Sequence, residues 1–595
     1  MCHFSNRILI SLLLILASLP CLSQSIYSQQ QFEDALAKVK KGEPVSMKLL
    51  PGTYHLSEPI TAKGALSIIG LGATIEAYTD IYSPRNAVRE TPSHYVCKLK
   101  HTLSEYSLMV DQNDCLVEVS ESVNKETYVN TTAIIEGTYE KRVGVEVRIP
   151  IPDNLSHLKN KSYQKAFGYF DCGWSRMCFK LKKTDNKYLY CETLHATNVP
   201  RYDYEKSAYK KDIRYVMYNA EIKTGAVYYD NDYIYIPKSV KSLKVKNCDI
   251  FENATPDISI NGDVVFTGIT FAGINGINVS SREKNRCLFT GCNFTHTIGN
   301  ALKITKKSEK DFLPVYLSRC TFNECALLWD VMLDMSSTNV GNKSIYVSDC
   351  NFVRYPDAKV RYKNTSAMVN VNADTRISDC TFWNTCRCHL YFTRGNSESV
   401  GNVIYNTPDF NAMKDRNLSN DWGLIYVNHV YTDNEKAKAN KLHKVTIEKC
   451  FLYGAYANAN DARGVMIDNG RGDIICKNNV VLDCQCYSLD AREAKSFVGT
   501  SSIRNVFVNN ILGCRYRLAG GVEVPLNERP ISRGNILLSD YNNVFNDRSQ
   551  IQVSNKVITV TMECKEGKMY VSKGDYKHMR SIQFFKKVKK YIRKK

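Results

Sequence analysis

Three aspartates in short strand-like segments are the residues of this sequence best suited to acid–base chemistry. Asp421 begins the segment DWGLIY, Asp468 lies in RGVMIDNG and Asp490 lies in YSLDAR. If these segments stack in register as neighbouring strands, their carboxylates project from one face. Two such carboxylates can share glycoside hydrolysis, one protonated as general acid and the other ionised as nucleophile or base. We predict Asp421 and Asp468 as the catalytic pair; the structural alternative is that these aspartates only end strands.

Polar and aromatic side chains near this pair could bind a sugar substrate. Tyrosine and tryptophan rings stack on sugars, and a histidine can act as an acid or a stacking group, although a lone histidine is more often a hydrogen-bonded surface residue. The predicted substrate-binding residues are Tyr426, Asp490, Arg492, His389, Tyr391 and Trp422.

Two other functions compete with hydrolysis. A polysaccharide lyase acting on an acidic uronate polymer would use a Lys or Arg base, for which Arg463, Arg492 and Lys495 are available, and could add Ca²⁺. We find no dense acidic cluster for calcium, and no His set accompanies the closely spaced cysteines as a zinc site requires. We therefore expect no cofactor and no metal for a hydrolase. A glycan-binding surface protein without catalysis is the third alternative.

The elements that must position these residues are short strands in two interleaved series. The first series ends in Cys or Asn followed by one residue and an apolar side chain, as in VYLSRCTF at Cys320, IYVSDCNF at Cys350 and TRISDCTF at Cys380. The second series is more polar and includes MVNVN, HLYFT, GLIYV, GVMID and YSLDA. Strand types that alternate at a fixed phase over successive repeats predict an all-β fold, the right-handed parallel β-helix.

The recurring Cys or Asn position predicts a stacked column inside this β-helix. Residues at equivalent bends of adjacent coils lie about 4.8 Å apart, so identical side chains stack. Thiols are small apolar fillers of such a column, and Asn can form an amide ladder. We therefore expect free, stacked cysteines rather than a disulfide framework.

The chain divides into five predicted parts. Residues 1–23 form a signal peptide, 24–84 an N-terminal cap and first coil, and 85–240 an inserted antiparallel β-domain with longer alternating strands. The β-helix then resumes over 241–546. The C-terminal extension 547–595 carries a basic tail.

Composition and the leader segment set the expected compartment and partners. The apolar run Ile8 to Leu19 follows Arg7 and predicts export to the periplasm, cell surface or extracellular space. Export argues against a nucleic-acid role, so the net charge of +19 predicts another acidic partner. Much of the excess lies in the tail, where we expect Ser581 to Lys595 to fray in solvent; the alternative is a basic amphipathic helix that contacts an anionic surface. We expect a monomer that binds a polysaccharide or oligosaccharide.

Several motifs together resemble a known family. A PGTY coil comes first, GAVYY (Gly225 to Tyr229) ends the inserted domain, and GITF (Gly268 to Phe271) follows. This order is similar to the bacterial β-helix enzymes of glycoside hydrolase family 141 from Bacteroidetes, within the pectate-lyase-like superfamily. The resemblance spans roughly residues 30 to 515 and implies hydrolysis of a glycan linkage by two aspartates, at DWGLIY (Asp421) and GVMIDNG (Asp468). Asn469 departs from the family pattern, which has a second Asp there.

Overall fold

The computed structural model describes most of the chain from residue 23 to residue 595. The described ranges are 23–103, 107–117, 119, 127–136, 146–151, 167–171, 176–193, 208–218, 225–229, 232–248, 255–281, 284–306, 313–327, 331–337, 344–355, 367–385, 387–407, 422–428, 444–455, 462–468, 473–484, 487–491, 506–512, 516–518, 531–538, 544–545, 552–557, 562–565, 568–582 and 584–595. In several strands, including Thr127–Glu136 and Tyr487–Ala491, only the backbone is described. All but the last residue of the predicted leader 1–23 lie outside these ranges. None of the helices found in them is long and apolar enough to cross a membrane.

Two long parallel sheets run along the chain, which confirms the predicted parallel β-helix. The described residues of sheet A form 23 strands and those of sheet B form 12, and each strand pairs with its equivalent on the next coil. A coil contributes a leading and a trailing strand to sheet A and one strand to sheet B. Parallel strands joined by long crossovers need this wound topology, because a two-residue hairpin can join only antiparallel neighbours.

Sheet A begins at the N-terminus, with strands Gln24–Ile26, Val45–Leu49, Gly52–His55 and Leu66–Glu76. Val264–Ala272 spans both halves of the sheet. The leading strands are Cys287–Thr290, Val315–Ser318, Ile345–Ser348, Thr375–Ser378, Ser397–Val400, Lys444–Glu448, Asp473–Lys477 and Val506–Val508. The trailing strands are Asn293–Thr295, Thr321–Asn323, Asn351–Val353, Thr381–Trp383, Val403–Tyr405, Phe451–Ala455, Val480–Cys484 and Ile511–Leu512. Ile531–Leu537 and Gln552–Val557 follow.

Sheet B carries the more polar strand series. Its strands are Ile60–Ala62, Ile258–Ile260, Ile277–Ser281, Leu302–Lys306, Leu333–Ser337, Val369–Asn372, Leu390–Arg394, Trp422–Asn428, Ala462–Asp468, Tyr487–Ala491, Tyr516–Leu518 and Val544–Phe545.

The corner between leading and trailing strands is the predicted Cys/Asn column. Its members are buried and stack coil on coil: Cys292, Cys320, Cys350, Cys380, Asn402, Cys450, Asn479, Asn510 and Asn535. The residue before each member has a positive φ, between 53° and 70°, so a Gly, Asn or Asp often stands there. Where Asn occupies the corner, its side-chain oxygen accepts from the backbone N–H of the corner residue on the preceding coil, at 2.8 Å for Asn402 and 2.9 Å for Asn479. The described cysteines are free thiols, as predicted.

The core fills the inside of the coils. Two residues after four of the five corner cysteines a Phe points inward, and the rings of Phe294, Phe322, Phe352 and Phe382 stack with centroids 4.6 to 4.8 Å apart; after Cys450 the position is Leu452. At the N-terminal end the helix Gln29–Lys41 covers the first coil with Phe32, Leu36 and Val39. Ser28 accepts from the backbone N–H of Gln31, and Gly42 ends the helix at a φ of 85°.

Antiparallel strands interrupt the first coil, as predicted for the inserted domain. One sheet contains Ala87–Glu90, His94–Lys98, Tyr228–Tyr229 and Tyr233–Pro237, after the short 3₁₀ turn Pro84–Asn86. A closed barrel contains Thr127–Glu136, Glu146–Pro150, Phe167–Asp171, Arg176–Thr184, Tyr188–Thr193 and Ala208–Tyr218. A third sheet contains Asp80–Tyr82, Leu108–Val110 and Leu243–Lys246.

Both predicted boundaries of the resumed β-helix differ from the structure. Leu243–Lys246 pairs antiparallel with Asp80–Tyr82, so the β-helix resumes only at Ile258–Ile260. At the other end, Gln552–Val557 still pairs in parallel with Ile531–Leu537, beyond residue 546. Short alternating strands look alike in sequence whether their partner is parallel or antiparallel, so the pattern alone does not fix these boundaries.

The basic tail is folded onto the β-helix rather than frayed in solvent. Residues 568–595, the cap, contain the strands Lys568–Val571 and Ile592–Lys594 and the helices Lys573–Arg580 and Phe585–Val588, joined to the last strand by the 3₁₀ turn Lys589–Tyr591. The first cap strand also pairs with Met562–Lys565. Apolar cap side chains pack against the outward side of the trailing strands. The expectation of a solvated terminus was wrong because these outward positions are aromatic and aliphatic, for example Tyr405, Phe451 and Leu482, and must be covered.

Candidate functional site

The outward side of sheet B carries one column of polar and aromatic residues in strict register. Strand pairing aligns Lys303 with Asp334, Asp334 with Asn370, and Asn370 with Tyr391. Their neighbours along each strand are buried in the core, so the alternation of a strand directs these side chains outward. We call Lys303, Asp334, Asn370, Tyr391 and Asn428 the polar face. Asn428 lies on the strand that follows Tyr391, two residues beyond the position paired with it.

Asp334 anchors one end of the polar face. Its Oδ2 lies 3.8 Å from Lys303 Nζ, and its Oδ1 accepts a 2.9 Å hydrogen bond from Asn370 Nδ2. The Asp334 side chain is 18% exposed, and burial raises the pKa of its carboxyl although Lys303 and Asn370 act in the opposite direction. The carboxyl is thus held in place, and part of it reaches solvent.

Two tyrosines and an arginine form the centre of the site. The rings of Tyr391 and Tyr426 lie 5.1 Å apart with an interplanar angle of 27°. The Arg387 guanidinium carbon lies 5.7 Å and 5.6 Å from the two ring centroids. Asn428 Nδ2 lies 3.3 Å from both phenol oxygens. These contacts fix the rings, which is the preorganisation that a binding surface needs.

Three amide oxygens on this side of sheet B have unused hydrogen-bonding capacity. The Oδ1 atoms of Asn278, Asn370 and Asn428 are buried and have no hydrogen-bond partner in the described part of the chain. Asn278 pairs with Lys303, so all three lie along the same sheet. A buried acceptor without a partner costs about 1–3 kcal/mol, which a ligand with hydroxyl donors would recover. The face is therefore suited to a ligand rich in hydroxyl groups.

Two predicted substrate-binding residues are buried instead of exposed. His389 precedes its strand at a turn position whose equivalents are Met368 and Leu424, all directed into the core. Its Nε2 lies 3.2 Å from the Tyr405 carbonyl oxygen, and burial lowers the imidazole pKa to about 3. The outward position predicted for His389 was wrong, and a neutral, enclosed imidazole is not an acid catalyst at neutral pH. Tyr426 is 2% exposed, which leaves Tyr391 as the ring that reaches solvent.

Backbone register places two of the predicted aspartates beside the polar face. Asp468 pairs with Asn428, and Asp490 pairs with Met466, which in turn pairs with Tyr426. Asp468 and Asp490 therefore lie on adjacent strands with an offset of two residues. Strand spacing and rise give a Cα separation of about 8 Å, within reach of the carboxylate spacings used in glycoside hydrolysis.

The structure does not describe the first predicted aspartate. Asp421 and Arg492 lie outside the described residues, and the side chain of Trp422 is not described. The backbone of Trp422 pairs with Ala462, six positions before Asp468. Six positions correspond to up to about 20 Å along a strand, so the backbone of Trp422 lies far from that of Asp468. The catalytic role of Asp421 stays a prediction.

Sequence reasoning missed four residues of this site. The strand Leu333–Ser337 was not among the segments named for the polar series, and its outward carboxylate is Asp334. The sequence signal for Asp334 was the alternation of apolar and polar residues in LDMSS (333–337), whose polar positions match the outward positions of the neighbouring strands. No sequence motif marks Lys303, Arg387 or Asn428, and only the pairing of the strands brings them together.

The groups that a lyase would need are not assembled in the described residues. Arg463 is 1% exposed, and its guanidinium lies 3.6 Å from Met466 Sδ, inside the protein. Lys495 lies outside the described ranges. Within those ranges no group of three or more His, Cys, Asp or Glu side chains could hold a metal ion.

Comparison with known proteins finds likeness only at the level of solved structures. No family model and no curated protein matches the sequence. The chain is similar to a solved structure titled "Glycoside hydrolase", at 9% identity and a TM-score of 0.46, covering 89% of this chain and 90% of that one. It is also similar to the tailspike of Pseudomonas phage phi297, at 8% identity and a TM-score of 0.25 over 87% of this chain and 75% of that one. An α-1,3-glucanase catalytic unit from Streptomyces thermodiastaticus has 9% identity and a TM-score of 0.25, over 77% and 97%. The β-helix fold rests on the strand pairing of this chain itself.

Proposed function

We propose that this protein binds a glycan chain along the polar face and hydrolyses it, with Asp468 as the principal catalytic carboxylate. The observation that carries the proposal is the in-register column of outward polar side chains with three buried amide oxygens that have no described partner. Sugar hydroxyl groups are the donors that such acceptors require. Tyr391 provides an aromatic surface for a sugar ring.

The length of the column suits an extended polymer. From Lys303 to Asp490 the register crosses six coil spacings, which is about 29 Å at 4.8 Å per spacing. Asp334 lies four spacings from the coil of Asp468, about 19 Å, too far to form a catalytic pair with it. We therefore assign Asp334 and Lys303 to substrate binding, and Asp490 to partnership with Asp468.

The test is hydrolysis of a panel of neutral and acidic glycans by the purified protein and by single variants. Asp468→Asn and Asp490→Asn remove one carboxylate each without changing side-chain size, and each is expected to lower kcat at least 100-fold. Asp334→Asn should raise KM with a smaller effect on kcat. Asp349→Asn is the matched control, because Asp349 is exposed at the corner of sheet A and Asn tolerates its φ of 53°.

The same panel separates the competing assignments. If Asp421→Asn abolishes hydrolysis while Asp490→Asn has no effect, the pairing of Asp468 with Asp490 is wrong and the pair predicted from the sequence, Asp421 with Asp468, is correct. Unsaturated uronide products, detected by ultraviolet absorbance, would identify a lyase. Glycan binding without product formation would identify a non-catalytic binding protein and refute the hydrolase.

Export remains part of this proposal. The apolar segment before residue 23 supports delivery of the protein to a compartment that contains polysaccharides. Mass spectrometry of the mature protein from its native host should find an N-terminus near Gln24. Recovery of the intact leader on soluble cytoplasmic protein would refute export.

A further inference from the structure

The cap is held rigidly against the β-helix, so its surface has a defined shape. Tyr591 Oη lies 2.8 Å from the carbonyl oxygens of Gly401 and Lys449, and Lys590 Nζ lies 3.1 Å from the Gly401 oxygen. The buried cap side chains are Met569, Val571, Met579, Phe584, Phe585, Val588, Tyr591 and Ile592. Most of the large apolar groups described in the cap therefore face the β-helix; Tyr576 and Ile582 are half-buried against the same cluster.

The exposed side of the cap is strongly positive. Residues 568–595 contain eleven Lys and Arg residues and a single acidic residue, Asp575. Ten of these basic residues are exposed: Lys573, Lys577, Arg580, Lys586, Lys587, Lys589, Lys590, Arg593, Lys594 and Lys595. The remaining one, Lys568, has a lowered pKa because of burial and because Arg593 and Lys590 repel its charge. Repulsion of this kind is a cost that an anionic ligand would relieve.

The composition of the surface restricts the kind of partner. No large apolar side chain is exposed among the described cap residues, so the cap has nothing to insert between lipid acyl chains. Lysine ammonium groups bind anions as point charges and impose little geometry. Each exposed ion pair contributes at most about 1 kcal/mol, so useful affinity requires a ligand with many anionic groups.

The cap adjoins the coils that carry the candidate site. The Tyr405 ring packs beneath the cap, while the Tyr405 carbonyl oxygen lies 3.2 Å from Nε2 of His389, the residue immediately before the strand of Tyr391. The cap and the polar face therefore lie on neighbouring sides of the same coils.

We propose that the exposed side of the cap binds a linear acidic polysaccharide with carboxylates on successive sugars. This goes beyond the proposed function, since hydrolysis at the polar face does not by itself require an acidic substrate. The polar face and the basic cap would hold one polymer by two different chemistries.

The experiment measures binding of the full-length protein to polygalacturonate, with dextran as the neutral polymer, at low and high salt. The cap variant replaces four exposed lysines, K573Q/K577Q/K586Q/K587Q. The matched control removes the same charge from exposed lysines at the N-terminal end, K38Q/K41Q/K48Q/K63Q. Circular dichroism checks that both variants are folded.

The proposal expects polygalacturonate binding that weakens at least tenfold at high salt and at least tenfold in the cap variant, with less than twofold change in the control. Equal losses in both variants would show an effect of net charge alone and overturn it. Absence of polygalacturonate binding by the unaltered protein, or binding only to phosphatidylglycerol vesicles, would also overturn it. The assay measures binding and no cleavage, and its variants change no residue of the polar face, so failure of the hydrolase proposal would leave this result distinct.

Discussion

Replacement of Asn479 by Ala should destabilise the coils around the corner. Asn479 is fully buried, and its Oδ1 accepts a 2.9 Å hydrogen bond from the Cys450 backbone N–H. Its Nδ2 donates to the Ile447 carbonyl oxygen at 2.9 Å and to Asn510 Oδ1 at 3.0 Å. Alanine leaves the Cys450 donor and the Ile447 acceptor without these partners, whereas Asn510 Oδ1 still accepts from the residue 479 backbone.

The expected loss follows from the two groups that become unsatisfied. At about 1–3 kcal/mol for each buried group, the free energy of unfolding should fall by about 3 kcal/mol. Asn479→Cys should cost about half as much, because a thiol can accept weakly from the amide below it, as Cys380 Sγ does from the Cys350 N–H at 3.4 Å.

The assay combines urea denaturation followed by circular dichroism with hydrogen exchange measured by mass spectrometry. Each coil contacts mainly its neighbours, so exchange should accelerate most in peptides that contain Cys450. Asn285→Ala is the control, because the Asn285 side chain makes one exposed hydrogen bond, of 3.3 Å, to Asn261. A loss no larger than that of the control, or exchange unchanged at Cys450, would refute the reasoning.

Three further predictions concern single side chains. His389→Leu should make the free energy of unfolding less sensitive to acid. In the unfolded chain the histidine gains a proton below about pH 6.5, whereas the folded one resists protonation down to about pH 3. The native chain therefore loses stability as the pH falls through that window. Urea midpoints at pH 7 and pH 4.5 should converge in the variant; an unchanged difference would contradict this. Tyr591→Phe should release the cap, with the Gly401 oxygen losing its 2.8 Å donor, and should increase proteolysis after residue 560; an unchanged digestion pattern would argue against it. Gly276→Ala should prevent folding or greatly lower the thermal midpoint, because a Cβ there would lie 2.1 Å from the Asn300 carbonyl oxygen, and a near-normal midpoint would contradict that contact.

The corner column was predictable because it repeats one residue type at one structural position. A Cys or Asn stacked on its equivalent, preceded by a residue with positive φ, leaves a signature at each coil, as at Asp349–Cys350 and Asn478–Asn479. Because the cysteines recur at equivalent bends of successive coils, their spacing was enough to predict that the thiols are buried. The parallel fold could therefore be read from the chain before any coordinate was known.

The site was only partly predictable because it depends on how the strands are aligned with one another rather than on residue type. Alternation identified Tyr391 and Asp468 as members of the outward series, but the partner of each is set by strand pairing across insertions of variable length. His389 looked outward because it adjoins a polar strand, yet its turn position is filled by Met368 and Leu424 on neighbouring coils. The tail was misjudged because its basic residues gave no sign of the aromatic surface that it covers.

Register connects the corner column to the proposed chemistry. Asn479 lies between the strand that ends at Asp468 and the strand that contains Asp490, so the corner fixes how the second strand is aligned on the first. A slip of one residue would align position 490 with Val465 or Ile467, which lie in the core, where an ionised carboxylate is strongly disfavoured. Deleting one residue between Asn479 and Asp490 should therefore lower hydrolysis far more than an equivalent deletion before Lys303, which would displace a substrate-binding side chain but neither proposed catalytic carboxylate. Equal activity in both deletions would show that the two aspartates do not act as a pair.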